Sequence, residues 1–379
     1  MKVAIITDQH FGARNDSPQF LDFYEKFYRD TFFPKLKAEG IKTVLILGDT
    51  FDRRKYVNFH TLKRTKEMFF DILESEGIKI HMIAGNHDTY FKNTNDVNSV
   101  DLLLAEYNNI KILDTPTDIY LDETAICMIP WIAPDNYAQA MQHIQESDAI
   151  VCMGHFEIAG FAMQRGFPSQ EGLDRNIFKR FDMVFSGHYH HRHHQDNVYY
   201  LGNPYELTWG DYDDTRGFHL FDTETLELEF IPNPNTMFHK IPYNDKENSI
   251  TEINGMDLSK YANTYVKVVV INKSNPYLFD KFMANLYAIN PADVTIAEDF
   301  TDLTEGVEND MVDQAEDTMT IIEKFVDGIK EDNIDNNKLK TVMRQLYVEA
   351  INLENEWLYF KNFGGKIFFP QVMLLLKLV

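Results

Sequence analysis

Five short apolar runs in the first half of the chain are each followed by side chains that commonly bind metal ions. The runs hold four or five apolar residues with β-branched members, which is typical of buried strands. The polar residues that follow them are Asp8, His10, Asp49, Asn86, His87, Asp88, His155, His188 and His190. Because ligands gather at strand ends in layered α/β domains, we expect these residues to form one site.

The donor atoms of this set indicate the class of metal. Seven of the residues offer oxygen or imidazole nitrogen, and none offers a thiolate; they are Asp8, His10, Asp49, Asn86, His155, His188 and His190. Such a mixed set suits Mn²⁺, Fe²⁺ or Zn²⁺ at a reactive site better than a structural zinc ion. It exceeds the needs of one tetrahedral ion and suffices for two ions sharing a carboxylate, the arrangement that hydrolyses phosphate esters.

Two further residues directly follow the predicted ligand Asn86. His87 can protonate a leaving oxygen or stabilise its charge, and the neighbouring carboxylate of Asp88 can fix the histidine tautomer. We therefore predict catalytic roles for His87 and Asp88. Asp52, which follows Asp49 closely, is either a support for the ligands or the start of a helix, and the sequence does not distinguish these alternatives.

The motifs resemble the calcineurin-like metallophosphoesterase superfamily. Its pattern is D-x-H, G-D, G-N-H-[DE], G-H and G-H-x-H, and all five blocks occur here in that order between Asp8 and His190. One block alone occurs by chance, whereas the ordered set is highly specific. The resemblance implies one metal ion held by Asp8, His10, Asp49 and His190, and another held by Asp49, Asn86, His155 and His188. Asp49 would bridge the ions, and His87 would be the catalytic acid.

The resemblance also implies a fold and its cofactors. The expected fold class is α/β, a metallophosphoesterase β-sandwich flanked by helices. Helical spacing of apolar residues over 20–37, 59–76 and 100–107, between strand-like runs, agrees with it. The expected cofactors are two divalent metal ions, with Mn²⁺ first and Mg²⁺, Fe²⁺ or Zn²⁺ as alternatives.

The pattern changes after the catalytic domain, which we assign to residues 1–227. Strand-like and helix-like segments predict a small α+β capping domain over residues 228–299. Residues 298–317 contain nine acidic residues and no lysine or arginine, so we assign 300–317 as a solvated acidic linker. Residues 318–354 predict a C-terminal helical hairpin that either packs on the body or binds a partner. The tail at 355–379 has no assigned role, and its apolar stretch of about ten residues is too short to span a membrane, which needs about 20 residues.

This layout resembles the DNA-repair branch of the superfamily, the SbcD-type nucleases that pair with a coiled-coil ABC-type ATPase. In length and acidic character it is most similar to the nuclease subunits of T-even-like phages. The resemblance implies a 3′→5′ exonuclease on duplex ends and an endonuclease on single strands, acting in DNA repair and recombination. The capping domain would help to hold DNA, and the terminal helices would bind the ATPase coiled coil. Helices at residues 59–76 and 97–107 would build a homodimer.

Two other functions use the same fold. A small-molecule or protein phosphoesterase would use the same dimetal site, and the sequence alone does not separate it from a nuclease. A non-catalytic scaffold is disfavoured, because such members of the fold lose metal ligands and this chain keeps every motif residue.

The net charge of −23 opposes DNA binding, because phosphate neutralisation requires a basic surface. The predicted ligands and the acidic linker account for part of that charge. Basic residues close to the motifs are candidate DNA contacts, although each is also an ordinary solvated charge; they are Arg53, Arg54, Lys55, Lys92, Arg165 and Arg175. We therefore expect weak DNA affinity without a partner.

The compartment is predicted from two features. Cys127 and Cys152 lie in apolar runs, so we expect buried thiols in a reducing environment. The first residues form a ligand-bearing strand rather than a signal peptide, which predicts a cytoplasmic location, in the host bacterium if the chain is phage-encoded.

Overall fold

The structure is a computed structural model that describes residues 1–297 apart from Arg165, Gly166 and Gln170. The predicted acidic linker, helical hairpin and tail lie outside the described residues, as does Arg165. None of the helices in the described part of the chain has the length and apolar character needed to cross a membrane.

The strands of the described residues fall into two large sheets, a small sheet and a hairpin. In chain order they are β1 (Lys2–Ile6), β2 (Thr43–Leu47), β3 (Lys79–Ile83), β4 (Ile110–Ile112), β5 (Thr117–Leu121), β6 (Thr124–Ile129), β7 (Val151–His155), β8 (Ala162–Gln164), β9 (Phe167–Pro168), β10 (Met183–Gly187), β11 (His193–Gln195), β12 (Val198–Tyr200), β13 (Gly217–Asp222), β14 (Leu228–Pro232), β15 (Phe238–Asn244), β16 (Tyr265–Asn272) and β17 (Asp293–Ala297).

The two large sheets have parallel centres with antiparallel edges. The first has the order β14-β13-β1-β2-β3-β4, in which β1 to β4 are parallel and β13 and β14 are antiparallel additions. The second has the order β11-β12-β10-β7-β6-β5, with β11 and β5 antiparallel to their neighbours. The predicted motifs follow the carboxyl ends of β1, β2, β3, β7 and β10.

Alternate residues of the central strands face two different cores. In β1, Ala4 and Ile6 pack against the helices, whereas Val3 and Ile5 pack in the core that also contains Met128, Met153 and Phe185 of the second sheet. Strands buried on both faces need apolar residues throughout, which explains the continuous apolar runs in the sequence. The predicted α/β sandwich is confirmed.

The described helices pack against the sheets, and the last two belong to the small domain. They are α1 (Ala13–Asp16), α2 (Pro18–Phe27), α3 (Phe33–Glu39), α4 (Phe59–Thr65), α5 (Asp71–Ser75), α6 (Ser99–Leu104), α7 (Tyr137–Glu146), α8 (Ile250–Asn254) and α9 (Pro276–Ala288). A π-helical turn joins α2 to α3, and another joins α4 to α5, so both long predicted helices are present. The first ends at Gly40, whose φ of +65° forms the left-handed cap that glycine favours.

A small domain follows the sandwich. β15, β16 and β17 form a parallel sheet, and α9 packs Leu278, Phe282 and Leu286 against it in a separate core. The side chain of Asn275 caps α9 by accepting the amide of Leu278. The sequence pattern assigns the segment 228–232 to this domain. It instead pairs with β13 as β14, because a tight turn after Asp222 returns the chain along the same sheet edge.

Candidate metal centre

The loops after β1 and β2 are joined by their backbones. The amide of Asp8 donates to the carbonyl oxygen of Gly48 at 3.0 Å, and the amide of His10 donates to that of Asp49 at 3.0 Å. Asp8, His10 and Asp49 have φ values of +52°, +44° and +50°. Each left-handed non-glycine residue costs roughly 1–2 kcal/mol. Backbone strain of this kind concentrates at functional sites, because the surrounding fold must hold it in place.

One group of candidate ligands consists of Asp8, His10 and His190, all of them buried. Their ligand atoms lie within 4.8 Å of one another. His10 Nε2 is 3.1 Å from His190 Nε2, and His190 Nε2 is 3.9 Å from Asp8 Oδ1. Two ring nitrogens this close can share at most one proton, so at least one lone pair is available. The donor set therefore fits a divalent cation.

A second group consists of Asp49, Asn86, His155 and His188. Asn86 Oδ1 lies 2.9 Å from both His155 Nε2 and His188 Nδ1. Asp49 Oδ2 lies 3.3 Å from His155 Nε2. His155 Nδ1 donates to the carbonyl oxygen of Leu47 at 2.8 Å, which turns Nε2 toward the other donors. These atoms also converge as ligands of one ion would.

The carboxylate of Asp49 connects the two groups. Its Oδ1 accepts the amide N–H of His87 at 2.7 Å. Its Oδ2 lies 3.3 Å from His155 Nε2 in one group and 3.7 Å from His10 Nε2 in the other. A single carboxylate between two ligand clusters has the position of a bridging ligand in a dimetal site.

The pKa values of the buried histidines depend on the same neighbouring carboxylates. Burial opposes protonation of His10, but the carboxylates of Asp52 and Asp49 outweigh it and raise the pKa of His10 to about 9. Burial likewise opposes protonation of His155, and Asp49 raises its pKa to about 9. Burial lowers the pKa of His188 to about 3. The centre thus attracts positive charge yet keeps His188 neutral, the protonation state in which imidazole binds metals.

His87 lies beside the first group, with its ring centroid 4.8 Å from that of His10. Its Nδ1 is 2.5 Å from the carbonyl oxygen of Asp52. A carbonyl oxygen can only accept, so Nδ1 carries a hydrogen and Nε2 is left for a substrate. Asp52 also places its carboxylate Oδ1 3.4 Å from His10 Nδ1. The structure thus favours the first alternative for Asp52, a support for the ligands.

Asp88 has a different place from the one expected. Its carboxylate is fully buried and accepts the amide hydrogens of Thr50, Phe51 and Gly85 at 3.2, 3.0 and 2.9 Å. Burial and the charge of Asp49 raise the pKa of Asp88 to about 6. The side chain therefore joins the second and third motif loops, and the carbonyl oxygen of Asp52 takes the expected role of fixing the His87 tautomer.

Other supports were not identified from the sequence. Thr7 Oγ1 donates to Asp8 Oδ2 at 2.7 Å, and the amide of His188 donates to Asp8 Oδ1 at 3.0 Å. Buried Arg216 donates to the carbonyl oxygen of His190 and forms an ion pair with Asp211 at 2.8 Å. Thr7 directly precedes the first motif and could have been considered. Arg216 carries no comparable signal, because it lies far along the chain from the residue it holds.

Two motif glycines are required by close packing. A Cβ at Gly85 would overlap the carboxylate and amide of Asp49, and a Cβ at Gly187 would overlap Thr7 Oγ1 and approach Asp8 Oδ2. Both loops therefore approach the ligands more closely than any side chain allows.

The candidate DNA contacts differ in exposure and in pairing. Arg53 pairs with Asp16 at 3.1 Å, and Arg175 forms an exposed ion pair with Asp196 at 3.2 Å. Arg54 is partly buried between the motif loops, where burial lowers its pKa. Lys55 and Lys92 are exposed on the loops after the second and third motifs. The structure brings the seven predicted ligands together, whereas Arg53 and Arg175 are already paired with carboxylates.

Comparison with known proteins places the chain among metal-dependent phosphoesterases. A family model described as calcineurin-like phosphoesterase matches residues 1–192. Exonuclease subunit 1 of Enterobacteria phage T4 is 33% identical over 357 residues, covering 92% of this chain and 99% of the phage protein. The SbcD subunit of the nuclease SbcCD from Staphylococcus saprophyticus is 22% identical over 376 residues, covering 90% and 96%. A solved structure of a novel archaeal phosphodiesterase aligns with a TM-score of 0.31 and 16% identity, covering 61% and 99%.

Proposed function

The chain belongs to the calcineurin-like phosphoesterase family, and from this premise we propose that it is a two-metal DNA nuclease. The proposed activities are 3′→5′ exonuclease cleavage at duplex ends and endonuclease cleavage of single strands, in DNA repair and recombination. The observation that carries the two-metal proposal is the position of Asp49 Oδ2 between the two ligand groups.

The ligands divide between two ions. Asp8, His10 and His190 would hold one ion, Asn86, His155 and His188 would hold the other, and Asp49 would bind both. Mn²⁺ suits the mixed oxygen and nitrogen donors, with Mg²⁺, Fe²⁺ and Zn²⁺ as alternatives. When bound, such ions supply Lewis-acid polarisation of the phosphoryl group and an activated water.

The chain's own residues perform the remaining chemistry. His87 presents Nε2 to the substrate because Nδ1 is engaged by the Asp52 carbonyl oxygen. In its protonated form it would donate to the oxygen that leaves phosphorus, so that the departing hydroxyl forms without a free alkoxide. Asp88 acts as a positioning residue, since it fixes the backbone of both loops through three amides.

DNA is the proposed substrate because the phage and staphylococcal relatives are named as an exonuclease subunit and a nuclease subunit. The net charge of −23 still opposes binding to a polyanion. Arg53, Arg54, Lys55, Lys92 and Arg175 provide only local positive charge, so much of the affinity must come from a partner. The capping domain would provide additional contacts with DNA.

We propose two protein contacts. A coiled-coil ABC-type ATPase would bind the segment 318–354, a proposal that the naming of both relatives as subunits supports.

A second copy of the chain would bind across α4 and α6, where Phe59 and Leu102 are 88% and 68% exposed. Because both side chains lie on the helices of the proposed contact, replacing Phe59 and Leu102 with Asp should give a monomer by sedimentation. A monomeric native chain would refute the dimer.

The reaction class is tested with three substrates under one Mn²⁺ condition. End-labelled duplex DNA, bis-para-nitrophenyl phosphate and a phosphoserine peptide separate a nuclease from the alternative, a small-molecule or protein phosphoesterase. The proposal expects loss of label from DNA 3′ ends and hydrolysis of the small diester, both abolished by EDTA. Hydrolysis of the peptide with no DNA cleavage, even with the ATPase added, would support the alternative and overturn the proposal.

A further inference from the structure

A second cluster of metal-binding side chains lies outside the family motifs. A carboxylate oxygen of Asp118, the sulfur of Cys127 and a ring nitrogen of His143 all lie within 4.8 Å of one another. Asp118 on β5 and Cys127 on β6 are register partners, so their side chains leave the same face of the sheet. Helix α7 covers that face, with Ala140 and Ile144 in the same core as Cys127. Three separate elements therefore direct one donor each to a common point.

The rim of the cluster is already organised. His143 Nε2 is 2.9 Å from Asp118 Oδ1, and the hydroxyl of Ser147 donates to both carboxylate oxygens of Asp118 at 2.9 Å. The side chains of His143 and Asp118 are 28% and 23% exposed, whereas Cys127 is fully buried. Solvent thus reaches the cluster from the His143 side, and an ion could enter there without opening the core.

We propose that Asp118, Cys127 and His143 form a Zn²⁺ site that is separate from the dimetal centre. Sulfur, imidazole nitrogen and carboxylate oxygen are all ligands that zinc binds, whereas the soft thiolate does not suit Mn²⁺ or Mg²⁺. Zinc–ligand bonds of about 2.0–2.3 Å separate tetrahedral donors by roughly 3.3–3.8 Å. Side-chain rotations can bring the three donors to that spacing, and the exposed rim leaves a fourth position for water.

Cys152 is a neighbour of this site and not one of its ligands. It is the register partner of Cys127 on β7. Its sulfur is not one of the three donor atoms that lie within 4.8 Å of one another. An ion on the other three residues would tie α7 to β5 and β6 and would stabilise the fold, since a metal that binds only the native state adds to its stability.

Cobalt absorption tests the site without interference from the dimetal centre. Co²⁺ bound to a thiolate gives a near-ultraviolet charge-transfer band, and the only cysteines in the sequence are Cys127 and Cys152. The motif residues, which contain no cysteine, cannot produce the band. We expect the wild-type chain to develop the band with the intensity of one thiolate-bound Co²⁺ per chain, after enough Co²⁺ has been added to fill the dimetal centre as well, and to lose the band when excess Zn²⁺ is added.

Variants then identify the ligands. Cys127→Ser should abolish the band, and His143→Ala should weaken Co²⁺ binding at least tenfold. Cys152→Ser is the matched control, because it alters the neighbouring buried thiol and should retain the band. Circular dichroism checks that each variant is folded. A wild-type chain without the band at saturating Co²⁺ would overturn the proposal, as would a band that survives Cys127→Ser. In that case the residues form only a hydrogen-bonded pair beside a buried thiol.

Discussion

Replacing Asp52 with Asn should separate metal affinity from leaving-group protonation. The Asp52 carboxylate Oδ1 is 3.4 Å from His10 Nδ1, whereas its backbone carbonyl oxygen holds His87. The substitution removes the charge beside His10 and leaves the backbone contact in place. His10 then loses the negative partner that orients its ring and raises its basicity, and His87 keeps its tautomer.

The size of the effect follows from the role of such supporting carboxylates. Loss of a side chain that supports a metal-bound histidine from outside the ligand set typically lowers metal affinity or activity by about 10–100-fold. That range corresponds to about 1.4–2.8 kcal/mol at 25 °C. We expect the Mn²⁺ concentration for half-maximal activity to rise by this factor. The kcat at saturating Mn²⁺ should stay within a few-fold of wild type, because the remaining ligands and His87 are unchanged.

The assay is Mn²⁺ titration of bis-para-nitrophenyl phosphate hydrolysis by the wild-type chain, Asp52→Asn and Asp96→Asn. Asp96 is exposed on the loop after His87, so its variant controls for the loss of one negative charge nearby. An unchanged Mn²⁺ dependence for Asp52→Asn would refute the support assigned to its carboxylate. A loss of kcat that saturating Mn²⁺ does not restore would show that the carboxylate acts on the chemical step instead.

Three further substitutions test other parts of the site and fold. His87→Gln should lower kcat on DNA by about 10²–10⁴-fold with unchanged Mn²⁺ dependence. The loss of kcat should be smaller on bis-para-nitrophenyl phosphate, because its nitrophenolate leaving group needs no proton. An equal loss on both substrates, or a comparable loss in the exposed control His60→Gln, would contradict the acid role. Gly85→Ala should reduce the amount of bound metal more than tenfold by equilibrium dialysis, because the new Cβ would overlap the Asp49 carboxylate. The circular dichroism spectrum should not change. A metal content equal to that of the wild-type chain would argue against that packing. Burial raises the pKa of Glu206 to about 7, so the native state holds this proton more tightly than the unfolded chain and loses stability as pH rises from about 4.5 through 7. In chelator, Glu206→Gln should therefore gain up to about 3 kcal/mol relative to wild type between pH 4.5 and 8 by urea unfolding, and a pH-independent difference would exclude the effect.

The sequence predicted which side chains meet, because the carboxyl ends of parallel strands share one edge of a sheet. It did not predict how the ligands are held. Hydrogen bonds between the loops hold Asp8, His10 and Asp49 in the left-handed backbone region. Local residue preferences do not predict this conformation. Arg216, which directly precedes β13, donates a hydrogen bond to the carbonyl oxygen of His190. These two residues are far apart in the sequence, so only the folded chain brings them together.

Because Asp88 follows His87 in the sequence, we predicted a contact between their side chains that the structure does not contain. Asp88 follows His87, yet the turn between them directs its carboxylate inward to three amides. Residues 228–232, assigned from the sequence to the capping domain, pair with β13 for a similar reason, because that pairing depends on a turn rather than on a local pattern. Element type was therefore predictable from periodicity, whereas pairing partners and side-chain direction required the structure.

The most direct test of the central claim is cleavage of duplex DNA labelled at the 3′ or 5′ end, with Mn²⁺, by the wild-type chain and Asp49→Asn. Asp49 is the residue common to both ligand groups, so its variant should lose cleavage as completely as wild type does in EDTA. We expect the wild-type chain to release the 3′ label before the 5′ label only when Mn²⁺ is present, and we expect no release by the variant. Intact DNA after incubation with the wild-type chain, even with the proposed ATPase subunit added, while small phosphate esters are hydrolysed, would contradict the proposed nuclease activity.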